Sequence, residues 1–147
     1  MKKYKKIPNA GSVMTPFPYF VNTDDEIAEV ERLMKEHDIH HIPVQQEGQV
    51  VGIVSARDLY QLLDRFLPEA ERARLRARDI MADDPYIAPF DTPLNEVAVE
   101  MARRHTGSAI ILHHEKLAGI VSATDICRIL ADILESEFAP EPGDDAA

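Results

Sequence analysis

The sequence has almost none of the features that stabilise secreted proteins or hold proteins in membranes. Cys127 is the only cysteine in 147 residues, so no internal disulfide can form, which is typical of a reducing cytoplasm. No apolar run approaches the ~20 residues that span a bilayer. No apolar stretch of a signal peptide follows the basic start MKKYKK. We therefore expect a cytoplasmic protein without membrane insertion, with Cys127 as a small core residue of an apolar helix.

The motifs of common enzymes and metal sites are absent as well. The chain contains no G-x-S-x-G, no P-loop and no G-x-G-x-x-G. Its six histidines are not accompanied by a CxxC or HExxH motif. The sequence therefore predicts neither an enzyme nor a metal site.

Positive charge is scarce. Sixteen Lys and Arg face 26 Asp and Glu, and the formal net charge is −10, so no basic surface for nucleic acid is expected. The same charge disfavours a highly anionic ligand unless cations gather at one pocket. Residues 1–9 are predicted to form a loose basic arm, and residues 138–147, rich in acid, Pro and Gly, a flexible tail.

What the chain does contain is one pattern that occurs twice in the same register. The segment GIVSARDLYQLL begins at Gly52 and returns as GIVSATDICRIL from Gly119, an offset of 67 residues. The offset holds upstream without a gap, and the matched apolar residues there are Ile27 with Leu94, Val30 with Val97 and Met34 with Met101. The matched polar pairs are Ser55 with Ser122 and Asp58 with Asp125.

Each copy predicts the order β-α-β-β-α. In the first copy, Ile27, Val30, Leu33 and Met34 recur at helical spacing, and HIPV and VVGIVS predict a hairpin before the last helix. One such unit could hardly bury its sheet face alone. We therefore expect an α/β (α+β) fold of two units packed sheet to sheet about a pseudo-two-fold axis. The predicted units are residues 10–67 and 77–137, with a linker at 68–76.

The repeated Ser-x-x-Asp has two interpretations. It is the pattern of a capping box, in which Ser and an acid satisfy the first N–H groups of a helix. The same position, at the end of a strand and the start of a helix, also suits an anion beside a serine hydroxyl. A carboxylate one turn further can accept hydrogen bonds from two ribose hydroxyls. Both interpretations stay open at this stage.

The two Gly-Ile-Val-Ser-x-x-Asp motifs, with HDIHHIPV and VMT upstream, resemble a tandem pair of cystathionine-β-synthase (CBS) domains, a Bateman module. The resemblance covers residues 10–137 and implies two clefts that bind an adenosine-containing ligand such as AMP, ADP, ATP or S-adenosylmethionine. It also implies a homodimer that alters an unidentified effector protein when ligand binds. The alternative is an assembly module without a ligand.

The resemblance assigns ribose to the aspartates and phosphate, or another polar tail, to the serines. One cleft would combine Ser122 and Asp125 with Thr15, Tyr19, His40 and His41. The other would combine Ser55 and Asp58 with Ala82, Tyr86, Ser108 and Ala109.

The two clefts are not expected to be equal. Gly107 and Ser108 stand where the first copy has His40 and His41, so the cleft with Asp125 is predicted to be the better polar pocket. Histidine is only partly charged near neutral pH, and phosphate affinity in that cleft would depend on pH. In the other cleft Arg57 could supply a cation, and its counterpart in the repeat is the neutral Thr124.

Overall fold

The computed structural model describes residues 6–16 and 18–138; the start of the predicted arm and residues 139–147 of the predicted tail lie outside this part. Two mixed sheets form, of strand order β1-β7-β6-β5 and β2-β3-β4. The elements are α1 (Ala10–Val13), β1 (Thr15–Pro16), β2 (Val21–Asn22), α2 (Ile27–His37), β3 (His41–Gln46), β4 (Gln49–Ser55), α3 (Ala56–Asp64), α4 (Glu69–Arg72), α5 (Ala77–Ile80), β5 (Ile87–Pro89), α6 (Leu94–Arg104), β6 (Ser108–His113), β7 (Lys116–Ser122) and α7 (Ala123–Glu137).

The predicted β-α-β-β-α order is confirmed in both halves. The first motif runs β2-α2-β3-β4-α3 and the second β5-α6-β6-β7-α7, each with a parallel pair followed by an antiparallel hairpin. The hairpins break register at equivalent places, after Val44 and after Ile111. The two repeats of the sequence therefore correspond to two copies of one structure.

The opening segment of each repeat packs on the other repeat. In the first direction, β1 pairs with β7 through Thr15 and Ile120. In the opposite direction, Ala82 exchanges two backbone hydrogen bonds with Ile53 of β4, at 2.8 and 3.0 Å. Gly119 allows β1 to approach β7 closely, because a Cβ there would come 2.6 Å from the Thr15 carbonyl oxygen. Each hydrophobic core is therefore completed by residues from the other repeat.

Both faces of the sheets are buried. On the face toward the helices, Ile42 and Val44 join the first core. Pro43 alternates with them on β3 and is also fully buried, as is Ile110 on β6. Burial on both sides agrees with the sheet-to-sheet packing expected from the sequence.

Two details differ from the sequence predictions. Cys127 is exposed, because α7 packs on the core through Ile126 and Ile129 and turns the intervening position outward. The arm is not loose throughout, since the Pro8 carbonyl accepts a hydrogen bond from the Leu94 N–H at 2.9 Å. Among the described residues, no helix combines the length and apolar character that crossing a membrane requires.

Candidate functional site

A cavity of about 680 Å³ lies between the two motifs. Its volume falls within the range of small-molecule binding sites, about 300–1,000 Å³. We call it the Asp58 cavity. The first motif contributes His41, Ile53, Ser55, Arg57 and Asp58, and the second contributes Ala82, Asp84, Tyr86, Arg103, Arg104, His105, Thr106, Gly107 and Ser108.

The Asp58 carboxylate is available for a ligand. Strand β4 ends at Ser55, whose hydroxyl oxygen accepts a hydrogen bond from the Asp58 backbone N–H at 3.1 Å. The carboxylate makes no reciprocal bond to Ser55, and within the described residues it has neither a hydrogen-bond donor nor a salt bridge. Within the described residues, the Asp58 carboxylate in the first turn of α3 is therefore an exposed acceptor that a ligand can use.

The equivalent carboxylate in the second motif is already occupied. Asp125 Oδ2 accepts the Ser122 backbone N–H at 2.8 Å, and the Asp125 N–H donates to the Ser122 hydroxyl at 3.1 Å, which completes a capping box. Arg128 Nη1 lies 3.4 Å from the other carboxylate oxygen. The first motif has Gln61 at that position, so only the second aspartate has this ion pair.

The second motif lines the cavity with an aromatic ring and a cation. The Arg104 guanidinium carbon lies 5.1 Å from the centre of the Tyr86 ring, within cation–π range. Burial raises the pKa of the Tyr86 phenol, and Glu100 raises it further, so the phenol is neutral at physiological pH.

Glu100 anchors both arginines at the end of α6. Its Oε1 accepts from Arg104 Nε at 2.8 Å and its Oε2 from Arg103 Nε at 3.0 Å. Hydrogen bonds from Arg103 and then Arg104 lower the pKa of Glu100 to about 2. The carboxylate therefore stays charged and holds the two guanidiniums at the cavity.

An equivalent pair occurs in the first motif, with a histidine in place of the arginine. Tyr19 stacks on His37, with ring centres 3.8 Å apart and planes 12° apart. Tyr19 and His37 stand at the positions of Tyr86 and Arg104, with the same offset of 67 residues. The first motif thus has a titratable imidazole where the second has a permanent charge.

The structure places His41 differently from the sequence prediction, which grouped it with Asp125. His41 lines the Asp58 cavity, because β3 pairs with β4 so that His41 lies opposite Ser55. The absence of a side chain at Gly107 makes room for the imidazole, since a Cβ there would come 3.2 Å from Nε2. Burial lowers the pKa of His41, as does His40, against an opposing effect of Asp58.

The other predicted residues have three different placements. Ser55, Arg57, Asp58, Ala82, Tyr86 and Ser108 meet in the Asp58 cavity. Ala109 does not, because it alternates with Ser108 on β6 and packs in the second core. The positions predicted around Asp125 that the structure leaves exposed are Thr15, Tyr19, His40 and Thr124.

Sequence reasoning missed Arg103 and Arg104. The signal was present, because the first repeat has Glu36 and His37 at these positions and the second has two adjacent cations. The described residues contain no group of three or more His, Cys, Asp and Glu side chains arranged to hold a metal ion.

The family of the chain follows from a match in both halves. The CBS domain family matches residues 10–65 and 77–132. The chain belongs to the CBS domain family. This CBS domain pair is 30% identical over 123 residues to the inosine-5'-monophosphate dehydrogenase of Korarchaeum cryptofilum, covering 83% of this chain and 24% of that enzyme. It spans 22% to 33% of the length of the first curated relatives it matches.

Solved CBS domain pairs share the fold. The pair of protein MJ0100, in complex with 5'-methylthioadenosine and S-adenosyl-L-methionine, superposes with a TM-score of 0.76 at 22% identity, covering 86% of this chain and 98% of that one. The CBS domain of a bacterial CNNM/CorC family Mg²⁺ transporter, in complex with ATP, gives 0.73 at 23% identity, covering 84% and 87%. At these identities the likeness establishes the architecture.

Proposed function

We propose that this CBS domain pair is a regulatory module that binds an adenosine-containing ligand in the Asp58 cavity, acts on a partner protein in trans and catalyses no reaction. The observation that carries the proposal is the Asp58 carboxylate, free of protein hydrogen bonds within the described residues, in a cavity lined by both motifs. A ligand there would touch both motifs at once. Its binding would therefore change how the two motifs sit against each other.

The chemistry of the cavity suits a nucleoside. Asp58 can accept hydrogen bonds from two neighbouring ribose hydroxyls. Tyr86 offers an aromatic surface for a base, and the hydroxyl of Ser55 adds a neutral donor. The ligands in the two CBS pairs described above, 5'-methylthioadenosine, S-adenosylmethionine and ATP, are all adenosine compounds. This agreement supports an adenosyl ligand for the present chain.

Thermal melts with adenosine compounds test the proposal. Ligand at about 100 times its dissociation constant adds about 2.7 kcal/mol to the stability of the folded state, a shift of several degrees. We expect a shift with at least one adenosine compound and none with guanosine. Asp58→Ala should abolish the shift and Asp125→Ala should retain it. A shift that survives Asp58→Ala would place the ligand elsewhere.

A second candidate is an assembly module that binds no ligand. The Ser122–Asp125 capping box favours it, because there the repeated motif has a complete structural explanation. If Asp58→Ala changes only stability and no adenosine compound shifts the melting temperature, this candidate replaces the first.

We also propose that the protein forms a homodimer through the apolar face of α7. Leu130, Ile133 and Leu134 are exposed there, and Leu130 and Ile133 line a groove between α6 and α7. A two-fold axis brings the same face of a second copy against it, so each apolar stripe is covered by its equivalent. A cytoplasmic location remains a prediction based on the single cysteine.

A further inference from the structure

We infer that the Asp58 cavity selects a nucleotide with phosphate groups over the cationic S-adenosylmethionine, and that Arg57 and Arg104 bind the phosphates. The inference rests on the proposed function and names the chemical class of its ligand. It also assigns a role to Arg104, which the sequence motifs do not include.

Arg57 is an uncompensated cation at the cavity. It is exposed, it is the second residue of α3, and within the described residues no carboxylate lies within 4 Å of its nitrogens. The neutral Thr124 stands at the equivalent position of the second motif. At this position of the helix, only the first motif therefore has a positive charge.

Arg104 is held in place but keeps donors for a ligand. Glu100 occupies its Nε, and the described residues contain no acceptor within hydrogen-bond distance of its two Nη atoms. The nearest other acid, Asp84, lies 3.9 Å from Nη1 and is 94% exposed. The Tyr86 ring limits the movement of the guanidinium from one side. Arg104 is thus a positioned guanidinium, and such groups suit phosphate oxygens.

The charges of the cavity separate the two ligand classes. The protein carries a formal net charge of −10, yet three arginines from two motifs line this one space. If Asp58 binds the ribose, the exposed Asp84 is the remaining acid of the lining. A sulfonium would add a positive charge next to the guanidiniums, whereas a phosphate would gain charge-assisted hydrogen bonds from them.

Isothermal titration calorimetry without divalent cations tests this selection, with adenosine, AMP, ADP, ATP and S-adenosylmethionine. The variants Arg57→Thr and Arg104→His each install the residue found at the equivalent position of the other repeat. Arg74→Thr, in the exposed connector, removes one positive charge away from the cavity and serves as the control. Circular dichroism checks that each variant is folded.

We expect phosphorylated ligands to bind more tightly than adenosine and S-adenosylmethionine to bind more weakly. Hydrogen bonds to charged groups imply a loss of roughly 10- to 100-fold in nucleotide affinity for each cavity variant. Adenosine affinity and the Arg74→Thr control should be unchanged. Equal or tighter binding of S-adenosylmethionine overturns the inference and leaves the proposed function intact. If none of the five compounds binds, both fail.

Discussion

The Asp125 carboxylate accepts the backbone N–H of Ser122 at 2.8 Å and so closes a hydrogen-bonded ring at the start of α7. The Ser122 hydroxyl completes the exchange. Asp58, at the same place in α3, leaves this ring open. One motif of the sequence therefore has two different structural outcomes.

The closed ring predicts a difference in stability between two equivalent substitutions. Asp125→Ala should lower the free energy of unfolding by about 1 kcal/mol, because it removes a capping interaction. Asp58→Ala should cost clearly less, since the Asp58 carboxylate makes no capping bond. Urea denaturation followed by circular dichroism measures both. Equal losses would show that the two aspartates have the same structural role.

Removing the glycine at the crossing of β1 and β7 should destabilise the fold. Gly119→Ala places a Cβ 2.6 Å from the Thr15 carbonyl oxygen, and backbone cannot move aside as a side chain can. We expect a loss of ~2 kcal/mol or more in urea denaturation. Gly48→Asn is the control, because Gly48 has φ +78° in open space and Asn tolerates that conformation. An unchanged free energy of unfolding in Gly119→Ala would mean that β1 packs only loosely against β7.

The position of His41 predicts a stability that falls in mild acid. Its pKa in the folded protein is lowered by burial, so the unfolded chain binds a proton at higher pH than the folded one. The stabilising contribution is present above the unfolded value near 6.5 and is lost as the pH falls below it. His41→Ser, which copies Ser108, should reduce the loss between about pH 7.5 and pH 5.5.

A urea titration at several pH values checks this expectation. His114→Asn, in the exposed hairpin turn, controls for the loss of one imidazole. The other charged or ionisable side chains that line the same cavity are Arg57, Asp58, Asp84, Arg103, Arg104 and His105. An unchanged pH profile in His41→Ser would assign the acid sensitivity to one of these groups.

Self-association should depend on the apolar face of α7. Leu130 is 51% exposed and borders the groove between α6 and α7. Leu130→Glu should convert a dimer into a monomer in sedimentation velocity, because a buried unpaired carboxylate opposes association. Ala131→Glu, the next position around the helix, should remain dimeric. A monomeric wild-type protein would refute the proposed interface.

The repeat made the fold predictable. The spacing of the apolar residues and the residues between the elements predicted two β-α-β-β-α units. The offset of 67 residues also aligned Ser55 with Ser122. The position of His41 could not be read in the same way, because it depends on the pairing of β3 with β4 and on the space that Gly107 leaves.

The difference between the two aspartates had a signal outside the motif. Arg128 holds Asp125, and the matching residue is Gln61, three positions after Asp58. Comparing the repeats at positions that differ would have found this pair. It would also have shown that Arg104 stands where the first repeat has His37, so that a different side chain lies beside each tyrosine.

The exchanged opening segments make the two motifs inseparable. In a chain with a single repeat, residues such as Thr15 would lack the strand with which they pair. The edge of its own sheet would also lack the opening segment that the other repeat supplies here. Two such chains could each supply what the other lacks. In the present protein both repeats, with their exchanged segments, lie in one polypeptide. Cutting the connector should therefore leave two fragments that stay associated rather than two independent domains.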